Sequence, residues 1–391
     1  MRRSPVAAAA VLSAALVLSA CGGGGDATEA ANTPAAPAAE AGGPLDLAGA
    51  GCPATVVMQQ DWQPEAEHGA MYSVVGSDYT VDADAKSVKG SLVAQGVDTG
   101  VDVEVRPGGP NVGFQPVPAL MYLDDAITFG AVNTEDGISA AAQGQPVVAV
   151  TSQMTKSPQI MMWDPASHPG LTTLKDVAAT GVPFVTSGDL IPALAVKAGL
   201  IQPSQIDTTY EGTPARFVGD PTIIQQGFAT SEPYIYENEI EQWKKPIATG
   251  SMYEFGYIVY PEPLAVRADK LESLRPCLEK LVPIMQQAQI DYLAEPGPTN
   301  QLIVELVDAY QTGWTYSEGV AEFSAKEQVD GGYVFNDPAS GVFGQFDPAR
   351  MQQIVDTIGP VLQEQGSITT IPAPTDLYTN DFIDPNIKIG S

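Results

Sequence analysis

ATVVMQQDWQPEAEHGAMY, residues 54–72, decides how the chain is read. Its first five residues, Ala54, Thr55, Val56, Val57 and Met58, form an apolar, partly β-branched run with the length of a buried strand. Gln59, Gln60, Asp61, Trp62, Glu65, Glu67 and His68 crowd in directly after it, Pro64 stiffens the turn, and Gly69 opens a helix. A strand feeding a polar loop and then a helix is where an open α/β sheet holds its ligand, beyond the carboxyl ends of its strands. The loop therefore reads as the first wall of a pocket; the plainer alternative is a solvated surface loop. Trp62 favours the pocket, because an indole set among carboxylates usually has a flat partner to stack on.

Upstream, Arg2 and Arg3 precede an Ala-rich apolar segment over residues 5–18. It is too short to span a bilayer as a helix and has the character of a secretory signal. Leu18-Ser19-Ala20-Cys21 has the form of a bacterial lipobox, which predicts a signal peptide over 1–20 and a lipid anchor on Cys21. An ordinary signal peptide with an incidental cysteine is the alternative. Residues 21–50 are rich in Gly, Ala and Pro without an apolar period, and read as a flexible tether holding the body off a membrane.

The remaining stretch, about 340 residues, exceeds a usual single core, so two lobes are expected. Lys and Arg total 18 against 47 Asp and Glu, a net charge of −29 spread along the chain. Such a body repels nucleic acid and anionic lipid headgroups, so neither is an expected partner. With Cys21 assigned to the anchor, Cys52 and Cys277 remain, and in an exported chain that pair is expected to form a disulfide. Two histidines, His68 and His168, with no clustered cysteine predict no zinc site, and no cofactor is expected. The sequence GxxxxGK[ST] is absent, which excludes ATP hydrolysis through a P-loop.

Along the body, residues 81–100 are polar and Gly-punctuated and give no clear element. VDVEV at 101–105 alternates as a half-buried strand, ended by Pro107-Gly108-Gly109-Pro110. A further strand is expected over 126–132 and a small-residue helix over 138–142. Between them, Asn133 or Asp136 either caps that helix or faces the pocket. PVVAVT at 146–151 reads as a strand from which the chain enters a second unit, with helices over 172–179 and 191–198, strands over 182–185 and 208–210, and a turn at Ser187-Gly188-Asp189. Residues 257–260 and 264–267 are expected as strand returning to the first unit. Helices over 269–294, 299–312 and 348–365 follow, with the apolar spacing of packing helices.

Asp61-Trp62-x-Pro64-x-x-x-His68-Gly69, Arg106-Pro107-Gly108-Gly109-Pro110, Gly144-x-Pro146-Val147-Val148-Ala149-Val150 and Gly227-Phe228-Ala229-Thr230-Ser231-Glu232-Pro233-Tyr234 together carry a resemblance. In that order, behind a lipobox and across roughly residues 53–290, the set resembles the substrate-binding proteins of bacterial ABC importers of the thiamine-pyrimidine, nitrate, sulfonate and taurine group. The resemblance implies an α/β periplasmic-binding-protein fold of the type with two crossover strands. Its lobes would be 51–147 plus 256–391 and 148–255, closing on a small molecule. It implies a monomer, anchored by lipid on the extracytoplasmic face of the cell membrane, delivering to a permease and its ATPase and catalysing nothing. Residues 81–100 and the acidic Asn133-Thr134-Glu135-Asp136 depart from the commoner pattern of the group. Fungal pyrimidine synthases share the Asp-Trp-x-Pro-x-x-x-His arrangement, but the Cys-rich run they associate with iron is missing here.

The residues expected to meet the ligand are Asp61, Trp62, His68, Asn133, Ser187, Glu232 and Tyr234. Carboxylates accept from a ring nitrogen or an exocyclic amine, and Trp62 or Tyr234 offers a face to a flat ring. A free anion would instead require convergent donors or Arg and Lys. The expected ligand is an aminopyrimidine-type thiamine precursor, with nitrate, sulfonate or taurine as the alternative.

Overall fold

A computed structural model describes residues 36–390; the signal peptide, Cys21 and the start of the tether lie outside the described residues. The opening run forms β1 (Thr55–Gln59), buried along most of its length, and Gly69 opens α1 (Gly69–Ser73). The stretch that gave no element by sequence is a hairpin system: β2 (Thr80–Asp82), β3 (Ser87–Ala94) and β4 (Val97–Arg106), paired antiparallel. Gln95 and Gly96, both with positive φ, make the two-residue turn between β3 and β4, matching the twist of the strands they join. VDVEV is the second half of β4.

Next come α2 (Val117–Leu123), β5 (Ile127–Ala131), α3 (Thr134–Ala142) and β6 (Val147–Thr151). They are followed by β7 (Gln159–Trp163), α4 (Leu174–Ala178), β8 (Phe184–Val185), α5 (Leu190–Lys197), β9 (Ile206–Asp207), α6 (Ala215–Gly219), β10 (Ile224–Phe228), α7 (Glu232–Asn238) and β11 (Ala248–Ser251). The chain closes with β12 (Leu264–Arg267), α8 (Leu271–Ala294), α9 (Gly297–Tyr310), α10 (Glu318–Asp330) and α11 (Pro348–Glu364).

The strands form two sheets, ordered β2-β3-β4-β1-β5-β12-β6 and β11-β7-β10-β8-β9. In the larger, β1 lies parallel to both β4 and β5, which sets the carboxyl ends of β1 and β5 side by side. PVVAVT forms β6, which pairs with β12 at the edge of the larger sheet and from which the chain passes to the smaller one; the 147/148 division falls inside this strand. The chain changes sheet between Thr151 and Gln159 and again between Ser251 and Leu264.

Residues 257–260, expected as strand, have no ladder. The carbonyls of Ile258 and Val259 accept instead from the Arg350 guanidinium at 2.9 and 2.7 Å, and Tyr260 O accepts from the Thr134 hydroxyl at 2.8 Å. The same guanidinium also takes Thr155 O on the other crossing, at 2.6 Å, and lies over the Tyr260 ring. Its helix, α11, packs on α3 beside the larger sheet and on α5 beside the smaller. Ile354, Val355 and Ile358 join Val57 and Ile127 of the larger sheet to Phe184 and Ile224 of the smaller in one apolar cluster.

The tether also ends sooner than its composition suggested. Leu47 is fully buried, its N–H donating to Thr99 O, and the Asp46 carboxylate holds the turn by accepting from the N–H groups of Gly42 and Gly49. Residues 36–50 therefore lie on the body, docked by Leu45 and Leu47, by the backbone pairing of Pro37 and Ala39 with Asp98, and by Lys280 donating to the carbonyls of Gly43 and Asp46. A disulfide joins Cys52, just ahead of β1, to Cys277 on α8.

Candidate ligand site

Beyond Gln59 the β1 chain pairs once more, Gln60 N–H to Arg106 O at 2.8 Å, and then turns at Asp61. Two glycines allow that turn. A Cβ on Gly108 would lie 2.3 Å from Gln60 O, and one on Gly109, at φ +58°, would lie 2.7 Å from the Trp62 ring. Arg-Pro-Gly-Gly-Pro is thus the floor on which the Asp61-Trp62 turn rests. Pro64 and the 3-10 turn Ala66–His68 then swing His68 back, and its Nε2 lies 3.0 Å from Asp61 Oδ1.

Asn133 precedes α3 but makes no side-chain cap. Its Nδ2 donates to Asp61 Oδ2 at 2.9 Å, and its Oδ1 accepts from the Glu262 N–H at 3.2 Å. Glu262 completes the ring with Oε2 3.1 Å from the same His68 Nε2. Its backbone stands at φ +51° between Pro261 and Pro263, a sparsely populated conformation for a residue with a Cβ. Asp61, His68, Asn133 and Glu262 therefore form one closed network, tying the carboxyl ends of β1 and β5 to the second crossing between sheets. Glu262 was missed from sequence; its one signal was an acidic residue bracketed by prolines in a segment without apolar period.

Apart from His68, the charge around this ring is acidic. Glu65, Glu67, Glu135 and Asp136 lie with Asp61 and Glu262, and among the described residues no lysine or arginine pairs with any of them. Burial, reinforced by the Asp61 charge, pushes Glu262 up to about 7; burial with the Glu135 and Asp61 charges pushes Asp136 up to about 8. Burial likewise raises Glu65, with the Glu67 charge adding to it, and raises Glu135, whose carboxylate accepts from the Tyr257 hydroxyl. For His68, burial works against the charged ring, but the Glu262 charge and the hydrogen bonds to Asp61 and Glu262 outweigh it and hold the imidazole well above its ordinary value.

The other expected site residues are placed less uniformly. Trp62 lies over Gly109 with Phe114 and Trp314 around it, and Gly212, on the segment after β9, approaches its outer edge. Glu232 uses its carboxylate to accept from Phe228 N–H at 2.6 Å and the Ser231 hydroxyl at 2.9 Å, closing the turn into α7. Burial raises it, and the charge of Glu67, in the 3-10 turn before α1, adds to the rise. Ser187 is exposed, its N–H and hydroxyl donating to Gln226 Oε1, so it is bound to the smaller sheet's own polar row. Tyr234 is not brought into the group: its ring packs 5.6 Å from that of Phe323 and its hydroxyl against Gly319, both on α10, a helix the sequence reading did not anticipate.

A cavity of about 410 Å³ lies at the opposite, amino ends of β1 and β5, between Thr55, Arg106 and Arg267. Both arginines there are already paired, with Glu104 and Asp124 and with Asp125 and Asp269.

No family model matches the chain, and no curated protein matches it. Solved structures do. The periplasmic aliphatic sulphonate binding protein SsuA from Escherichia coli superposes with a TM-score of 0.52 at 11% identity, over 83% of this chain and 91% of that one. A putative sulfonate ABC transporter protein, periplasmic sulfonate-binding SsuA from Methylobacillus flagellatus KT, gives 0.53 at 13% identity, over 84% and 92%. The alkanesulfonate-binding protein SsuA from Xanthomonas axonopodis pv. citri, bound to MOPS, gives 0.50 at 12%, over 84% and 99%. The chain has the periplasmic-binding-protein fold. In this periplasmic-binding-protein fold the Asp61 network sits just beyond the carboxyl ends of β1 and β5, where an open α/β architecture places ligands. No helix among the described residues is long and apolar enough to cross a membrane.

Proposed function

We propose that this chain is the extracytoplasmic substrate-binding lipoprotein of an ABC importer, anchored through Cys21, and that it captures a small nitrogenous aromatic of the aminopyrimidine type without chemically changing it. The observation that carries the reading is the carboxylate-rich network at the ends of β1 and β5, in which His68 is the one basic partner among the described residues, with Trp62 beside it. Such a set accepts from ring N–H and amine groups and offers a π-face, and it favours a ligand that gains a proton. The two sheets would belong to two lobes joined by the crossings between Thr151 and Gln159 and between Ser251 and Leu264, and a ligand touching both would draw them together. Permease and ATPase are the partners such a protein serves.

The alternative, a nitrate, sulfonate or taurine site, is favoured by the structural neighbours, which are sulfonate-binding proteins. It would ask an anion to sit among carboxylates, while the donors at the start of α7 are already engaged by Glu232.

Calorimetry on the purified mature protein, with aminopyrimidine thiamine precursors against taurine, nitrate and alkanesulfonates, tests the choice. The expected result is binding of the aminopyrimidine class alone, weakened more than tenfold, about 1.4 kcal/mol, by Trp62→Ala or Asp61→Asn. Binding of the anions only, or affinities within threefold of wild type in both variants, would overturn the assignment.

A further inference from the structure

We propose that Asp61, His68 and Glu262 form a binding site for one divalent first-row transition ion, with Zn²⁺ as the type case, ligated by His68 Nε2 and one oxygen from each carboxylate. The reading goes beyond the organic ligand and does not depend on it. One ligating atom from each residue lies within 4.8 Å of the other two. Both carboxylate oxygens converge on a single ring nitrogen, at 3.0 and 3.1 Å. One N–H cannot point at two acceptors at once, so each is served partially; a divalent ion at that place meets all three ligands directly.

The surrounding groups hold these ligands as a metal site requires. Asn133 fixes the second oxygen of Asp61 and the backbone of Glu262 with one side chain, so both carboxylates are aimed before anything binds. His68 Nδ1 is buried and has no hydrogen-bond partner, while Glu65 Oε1 stands 4.0 Å from it. A metal on Nε2 fixes the proton on Nδ1, and a carboxylate next to that nitrogen is the usual orienting partner of a metal-bound histidine. The positive φ of Glu262 between two prolines is backbone strain at the same point, of the kind retained where a side chain must be delivered to a site.

A second observation lies against the same side chains. Glu67, His68, Gln153 and Glu262 line a cavity with about 10 Å³ of room, close to that of a single water. Gln153, 5% exposed, has neither amide atom hydrogen-bonded, and Glu67 Oε2 is equally unpartnered. These groups suit a water at a remaining coordination position, donated to by Gln153 Nε2 and donating to Glu67. The donor set, one imidazole and two carboxylates without thiolate, excludes a soft ion such as Cu(I) and is too small for Ca²⁺, which takes six to eight oxygens. Counting histidines along the chain hid this site, because its third ligand arrives on the returning crossover.

The test uses the intact purified chain, stripped by chelator and titrated with Zn²⁺ alone in a non-coordinating buffer at pH 7.5. One equivalent is expected to bind, with affinity lowered at least tenfold in both His68→Asn and Glu262→Gln. X-ray absorption on the Zn²⁺-loaded wild-type chain, which needs no variant to fold, is expected to show one imidazole among oxygen ligands at about 2.0–2.1 Å. Failure to bind one equivalent, affinity unchanged in both folded variants, or an all-oxygen shell would overturn the proposal. None of these outcomes bears on the aminopyrimidine titration, which is run without metal.

Discussion

The Cys52→Ser, Cys277→Ser double variant is expected to lose up to about 5 kcal/mol of unfolding free energy, the largest effect foreseen for any change outside the site. The disulfide closes a loop across a sequence separation of 225, and closing so long a loop removes most from the entropy of the unfolded chain. Its ends are firmly placed in the folded state: Cys277 is 1% exposed in the apolar cluster under the larger sheet, and Cys52 packs against the same cluster. For a chain of this length the loss corresponds to a fall in melting temperature of about 5–10 °C. Calorimetric melting of wild type and double variant under non-reducing conditions measures it. A difference below about 1 °C would mean that the denatured chain is already held compact by other means.

Ligand-free protein is expected to become more stable as pH falls from 8 to 5. Glu262, near 7, and Asp136, near 8, both lie above their unfolded values of 4.5 and 3.8, and Glu65, Glu135 and Glu232 shift the same way. A group raised on folding binds its proton more tightly in the native state, so its stabilisation is complete below the unfolded value and lost as pH rises through the folded one. His68, also raised, has the same sign over this window. Asp46, Asp78, Asp124 and Asp164 are lowered and act oppositely, but only below about pH 4, outside the window.

Because the acidic groups are coupled, the sum is smaller than their separate shifts, on the order of 2–4 kcal/mol between pH 8 and 5. Melting temperature against pH checks it, and Asp136→Asn is expected to flatten the upper part of the slope. A melting temperature that falls or stays level on acidification from pH 8 to 5 would show that the carboxylates are solvated or paired. A bound cation should stabilise most at pH 8, where the ring carries most charge.

The strands and helices with a clean period were legible in the sequence. β1, β5, β12, α8 and α11 fall within two residues of their expected bounds, the strands as short apolar runs buried on both faces and the helices through a regular apolar face. The hairpin at Gln95-Gly96 was not, since its turn lacks the Asn-Gly or Asp-Gly signal and β3 carries Ser, Lys and Gly between its apolar residues. α10 was missed for a related reason: its buried residues include Ala, Ser and Gln, so little hydrophobic contrast marks a face.

Overlooking α10 explains the reading of Tyr234, whose ring covers that helix. Asp61, His68 and Asn133 could be picked out because a local strand-loop-helix pattern makes polar residues at strand ends conspicuous. Glu262 could not, because its neighbours in space come from β1 and α3, and only the return crossing brings it to them.

α11 has a thermodynamic consequence for the molecule as a whole. The apolar residues it contributes are shared by both sheets, and Arg350 grips carbonyls on both crossings. Neither half can lose its packing without exposing surface belonging to the other, so independent melting of the halves would leave raw hydrocarbon on each. The two sheets therefore behave as one cooperative unit, giving a single heat-absorption peak whose calorimetric and van't Hoff enthalpies coincide.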